Sequence, residues 1–199
     1  MLTKEMKDNC IAVYEQAGRY VFSMLHPELG YKDNPFGKYG LDLQVYNEGK
    51  LYSIEEHKTN FTREHNSYEE VGQGILIELK KFKELKDKTN NINSKGRKKA
   101  VGGVYRRFFK DAEVALVVNG LTENELKPYY KGEYCEVNQF TTEKENQMGY
   151  YIPLYAKRSN GDYFWKVRLY TAFEAKLIGM VIEQRDNVLN RIKNKNNEG

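Results

Sequence analysis

Residues 39 to 60, YGLDLQVYNEGKLYSIEEHKTN, constrain the fold more than any other stretch of the chain. Leu41 to Tyr46 and Leu51 to Lys58 each read as a strand, and NEGK between them reads as the turn of a hairpin. A strand that contributes to a core should exclude unpaired charge. Yet Asp42 interrupts the first run, and Glu56 and Lys58 fall near the end of the second. The two-residue period of a strand puts Glu56 and Lys58 side by side on one face, and the adjacent strand brings Asp42 to the same edge. Glu55 then falls on the other face, where an apolar residue is expected.

As a tripeptide, Glu-x-Lys carries little information. It recurs at Glu5/Lys7, Glu48/Lys50, Glu78/Lys80, Glu84/Lys86, Glu125/Lys127 and Glu174/Lys176. Most of those copies lie in expected helices, where residues two apart point in different directions. Only the copy at Glu56/Lys58 sits on an expected strand.

The elements around the hairpin follow from periodicity. Residues 3 to 25 read as a helix, with Met6, Cys10, Val13, Tyr14, Ala17, Val21 and Met24 along one stripe. PELGYKDNPFGKYG reads as a loop punctuated by Pro and Gly, with a short strand within 28 to 40 as the alternative. Ser67 and Glu70 form a capping-box pattern that opens a helix to about residue 87, with Val71, Ile75, Leu79 and Phe82 on one face. DKTNNINSKG reads as a polar loop, and AEVALVVNG at 112–120 as a buried parallel or central strand. A short helix around TENELKPYY, two aromatic strands (GYYIPLYAK and DYFWKVRLY) and a helix from about 172 to 193 complete the chain. Phe173, Leu177, Val181, Val188 and Ile192 are expected to face inward on that last helix. The whole is a mixed α/β (α+β) chain of 199 residues, read as a single domain. Its core covers about 1–120, and a C-terminal strand pair and helix cover about 121–199.

Two cysteines, Cys10 and Cys135, with no CxxC, HxxxH or HExxH pattern, argue against a zinc site or a disulfide framework. No apolar leader and no run of 18 apolar residues appears, so a cytoplasmic protein without a membrane span is expected. The net charge of +4 is modest, but its distribution is uneven. KGRKKAVGGVYRRFFK at 95–110 gathers Lys95, Arg97, Lys98, Lys99, Arg106, Arg107 and Lys110 with no acid among them, and Arg185, Arg191, Lys193 and Lys195 follow near the C-terminus. Local positive charge of this kind suits a polyanion such as DNA. The plain alternative is a solvated loop and a basic tail. Tyr150, Tyr151, Tyr163, Phe164 and Trp165 fit sheet packing, or base stacking beside the basic segment.

Asp42, Glu56 and Lys58 supply what phosphodiester hydrolysis lacks at neutral pH. Two carboxylates suffice for Mg²⁺, which takes few protein ligands and keeps its waters. A neighbouring lysine can orient water or stabilise charge growing on phosphate. GLD, a hairpin, IEEHKT, then a helix and an apolar strand resemble the PD-(D/E)xK nuclease superfamily, with its restriction-endonuclease-like αβββαβ core, a mixed central sheet flanked by helices. The resemblance covers residues 3 to about 118. It implies Asp42 and Glu56 as metal-binding acids, His57 as a ligand through its backbone carbonyl, and Lys58 as the motif lysine. Glu15 on the first helix would join the metal site, with Gln73 a weaker candidate. Leu41 stands where the family has its proline.

The function expected from this resemblance is Mg²⁺-dependent endonucleolytic cleavage of DNA, with Mn²⁺ as a substitute. A type II restriction enzyme acting as a homodimer is the form expected first. A phage or mobile-element nuclease for DNA processing would carry the same residues. Two other classes remain: a non-catalytic binding or inhibitor protein on the same fold, and an unrelated α+β protein whose hairpin acids and lysine pair on the surface.

Overall fold

The hairpin at the centre of the sequence is also the centre of the fold. In the computed structural model, residues 2–37, 40–65, 71, 75–95, 101–118, 130–131, 133–137, 152–153 and 165–195 are described. Strands β2 (Leu43–Asn47) and β3 (Lys50–Asn60) pair antiparallel through a turn in which Glu48 has φ 49° and Gly49 φ 74°. Two consecutive positive φ values match the right-handed strand twist and make a tight hairpin. On its outer side β2 pairs antiparallel with β1 (Leu29–Asp33), a strand within the stretch that reads as a loop, because pairing with β2 orders it.

Helix α1 (Lys4–Leu25) precedes the hairpin and is capped by Thr3, which accepts from the Met6 amide. Its buried face is Ala17, Val21, Phe22 and Leu25, while Tyr14 and Met24 of the expected stripe are exposed. The second helix departs further from expectation. Val71 is helical, but residues 75–78 form a strand, β4, and the helix α2 runs Leu79–Lys95, past the expected end near 87. Ile75–Glu78 pairs with β8 (Tyr134–Val137), and that pairing overrides helical spacing. Beyond residue 87 the supposed polar loop is helical because its inner face continues: Phe82, Leu85 and Thr89 are buried and Ile92 packs on the same core. Asn93 then fixes the helix end, donating to the Val101 carbonyl and accepting from the Val101 amide. The Ser67/Glu70 cap and Gln73 lie outside the described residues.

The basic stretch after α2 is mostly a strand. β5 (Gly102–Phe109) pairs parallel with β3 over Ser53–Asn60. β6 (Ala112–Val117) is the expected apolar strand, central and antiparallel to both β5 and β10 (Trp165–Leu169). The main sheet runs β1-β2-β3-β5-β6-β10-β9, with β9 being Ile152–Pro153, and a second sheet runs β4-β8-β7, with β7 being Tyr130–Lys131. Tyr150, Tyr151, Tyr163, Phe164 and the helix expected near 122–128 lie outside the described residues.

Helix α3 (Ala172–Asn194) opens with a capping box made by Thr171 and Glu174. Its buried residues are Ile178, Arg185 and Leu189, and Phe173 is 70 % exposed, so the inward face is rotated about one residue from the expected one. Helices α1 and α3 cover one face of the main sheet around Leu43, Val45 and Phe108. Helix α2 covers the other around Ile54, Tyr105 and Leu116. No helix among the described residues is long and apolar enough to cross a membrane.

Gly103 lets α2 approach the sheet. A Cβ there would lie 2.6 Å from Thr89 Oγ1 and 2.7 Å from Val118 Cγ2. Gly103→Ala should therefore cost about 1–3 kcal/mol through overpacking. Urea denaturation measures this, and an unchanged midpoint would show that α2 moves aside freely.

Candidate functional site

The register of the hairpin decides where the charged residues stand. The β2–β3 ladder ends with Leu43 opposite Glu55, and Asp42 lies just beyond it, near enough for its carboxylate to act on Glu56. Asp42 lies just before β2 begins, where the strand no longer covers β3. There its Oδ2 accepts the His57 main-chain N–H at 2.7 Å, and Arg19 Nη2 of α1 lies 3.6 Å from Oδ1. The N–H and C=O of one strand residue point to the same side. The His57 carbonyl therefore opens on the Asp42 side of β3. The His57 side chain is only 1 % exposed, so what exposure the residue has lies on its main chain.

Glu56 is nearly enclosed. Lys58 Nζ lies 3.0 Å from its Oε1, and Lys81 Nζ of α2 lies 3.2 Å from its Oε2 without hydrogen-bond geometry. Burial pushes the Glu56 carboxyl above its ordinary value, and the neighbouring Asp42 carboxylate adds to the push against the opposing pull of Lys58 and Lys81. Lys58 is affected in the opposite sense. Burial alone would lower it, but the Glu56 carboxylate reverses this and holds its ammonium charged well above the ordinary lysine range. Lys58 also lies 3.4 Å from Glu78 at the end of β4.

A cleft of about 370 Å³ runs between α1 and the end of β3, lined by Glu15, Arg19, Asp42, His57 and Lys58 among others. Glu15 thus stands on the same cleft as Asp42 and Lys58. Among the described residues no three His, Cys, Asp or Glu side chains form a metal-holding cluster. The donors present are the Asp42 and Glu56 carboxylates and the His57 carbonyl, all hard oxygens, and a buried Glu56 oxygen accepts no hydrogen bond. A set of this size and kind fits Mg²⁺ or Mn²⁺, which complete their shells with water, and does not fit zinc.

One residue of the basic segment departs from the surface that its composition suggests. Arg106 is buried inside the sheet face under α1. It donates through Nε and Nη2 to Glu55 at 2.7 and 2.9 Å and through Nη1 to Glu113 at 2.6 Å. It is therefore no nucleic-acid contact. Arg107 is half-buried on β5 and hydrogen-bonds Tyr105, and Lys110 pairs with Glu64 at the surface. Lys95 is exposed at the end of α2, and Arg97, Lys98 and Lys99 lie outside the described residues.

Sequence reasoning missed the partners of Glu55. It is fully buried. Burial would raise its carboxyl, but the Arg106 guanidinium, helped by a hydrogen bond from His57 Nε2 at 2.6 Å, holds it far below the ordinary carboxylate range. His26 was given no role by the sequence either, and its Nε2 lies 2.7 Å from Glu113 Oε1. His65 likewise pairs with Asp111 through its Nδ1 at 2.9 Å. Lys81 was equally unmarked, because nothing in a helical stretch indicates which lysine turns inward. No family model, curated protein or solved structure matches the chain.

Proposed function

We propose that the chain is a divalent-cation-dependent DNA endonuclease with a restriction-endonuclease-like core. The observation that carries this reading is the approach of Asp42 to Glu56 and Lys58 where β3, still paired with β5, runs on past the start of β2. With β4 of the second sheet inserted before α2, the order α1, β1, β2, β3, α2, β5 supports it, since three antiparallel strands, a helix and a strand parallel to β3 follow the αβββαβ order. The last core strand is then β5, not the run at 112–120.

Asp42, Glu56 and the His57 carbonyl would hold Mg²⁺, with Glu15 on the rim of the same cleft. The bound ion would polarise the scissile phosphate and acidify a water. Lys58, 3.0 Å from Glu56, would be the cation beside the phosphate, steadying negative charge that grows there. The His57–Asp42 hydrogen bond fixes the carboxylate before substrate arrives. Surface charge for the DNA backbone is left to Lys95, Arg107 and Lys110, together with Arg97, Lys98 and Lys99.

A non-catalytic binding protein is the second reading, favoured by one observation: both Glu56 oxygens already face lysines. Incubation with supercoiled plasmid separates the two. The nuclease reading expects nicked and linear products with Mg²⁺ or Mn²⁺ and none with EDTA. Plasmid left intact under all conditions, across duplex, branched and single-stranded substrates, would leave the binding reading.

A further inference from the structure

Among the described residues, Lys81 reaches Glu56 from across the layer between α2 and the sheet. Its Nζ donates to the Gly40 carbonyl at 2.8 Å and lies 3.2 Å from Glu56 Oε2, with the side chain 15 % exposed. Gly40 leads directly into Leu41 and Asp42. The ammonium thus bridges two oxygens, one a carboxylate oxygen that belongs to the proposed metal site, as a small cation would.

We propose that Lys81 is an internal counter-ion that competes with the divalent cation for Glu56 and gives up that contact when the cation binds, while staying anchored to Gly40. The proposal rests on the nuclease reading and adds a residue to it. A buried carboxylate with Asp42 beside it is unfavourable unless cations neutralise it. Lys58 meets that need at Oε1, and Lys81 meets it at Oε2. A divalent ion brought to Oε2 repels the ammonium already there, so the two cations exchange. The Lys81 contact has ion-pair distance but not hydrogen-bond geometry, whereas the Gly40 contact has both, so the Glu56 contact is the one to yield.

A structural strut and a competitor predict opposite signs. Mn²⁺ binding without nucleic acid is followed by calorimetry for the wild type and for Lys81→Gln, which keeps a donor near Gly40 and loses the charge. Competition expects Lys81→Gln to bind Mn²⁺ about tenfold more tightly. Equal or weaker binding by a folded variant overturns it. No Mn²⁺ binding by either protein overturns the metal reading and this proposal with it, whereas binding by both at equal strength overturns this proposal alone. The wild type gives a second readout that needs no variant to fold. The Lys81 ammonium resonance should shift on saturation with Mg²⁺, and a resonance unmoved by bound Mg²⁺ also overturns the proposal.

Discussion

Asp42→Asn and Glu56→Gln should each lower plasmid cleavage by about 10³-fold or more, because a bound metal ion supplies several kcal/mol of transition-state stabilisation and about 1.4 kcal/mol is tenfold in rate. The two substitutions keep shape and remove charge. Asn at 42 still offers an oxygen to the His57 N–H, so the hairpin end should hold. Gln at 56 removes a buried charge that burial and Asp42 already disfavour, which limits the cost to stability. DNA binding should persist or tighten slightly in both, since less negative charge faces the phosphates. Filter binding in EDTA and nicking in Mg²⁺ give the two readouts. Parallel loss of binding and cleavage, or retained cleavage in both variants, would remove Asp42 and Glu56 from the chemistry.

The hairpin and its charged trio were legible in the sequence because strand alternation is local. Asn-Glu-Gly-Lys marks a turn, and a period of two fixes which of Glu55 and Glu56 shares a face with Lys58. The failures have a common cause: tertiary pairing. Ile75–Glu78 is compatible with a helix until β8 pairs with it. Thr89 hides the continuation of the α2 core face because its type is polar, although it is buried. Arg106 and Arg107 read as a basic surface, yet alternation along β5 puts Arg106 on the α1 face with its acids. The missing signal was available in retrospect. Glu55 and Glu113 are acids at inward positions of core strands, and an inward acid demands an inward base.

That demand yields the largest expected effect on stability. Arg106→Met should destabilise the fold by about 3–5 kcal/mol, since removing one partner of a buried ion pair strands the others. The network is built by register. In the parallel β3–β5 pair His57 stands beside Arg106, and in the antiparallel β5–β6 pair Phe108 stands beside Glu113, so Glu55, His57, Arg106 and Glu113 share one face. Across β6, Arg168 stands beside Glu113 on that face as well. Phe22 and His26 of α1 close over them, with the Arg106 guanidinium 5.5 Å from the Phe22 ring. Both glutamates are fully buried, so without Arg106 no water replaces the lost donors. The sign with pH follows. Glu55 is held below its ordinary value in the folded protein, so its contribution is present above the ordinary carboxylate range and is lost progressively as the pH falls from that range through the lowered folded-state value. Once Arg106 is gone, burial dominates and the Glu55 carboxyl moves up. Arg106→Met should then gain stability relative to the wild type as pH falls from 7 toward 5, the reverse of the usual acid response. Adding Glu55→Gln to Arg106→Met should recover part of the loss at pH 7, because the stranded charge is the main cost. Urea denaturation of the wild type and both variants at the two pH values measures all of this. A single variant within about 1 kcal/mol of the wild type would mean that the network contributes no more than a surface pair.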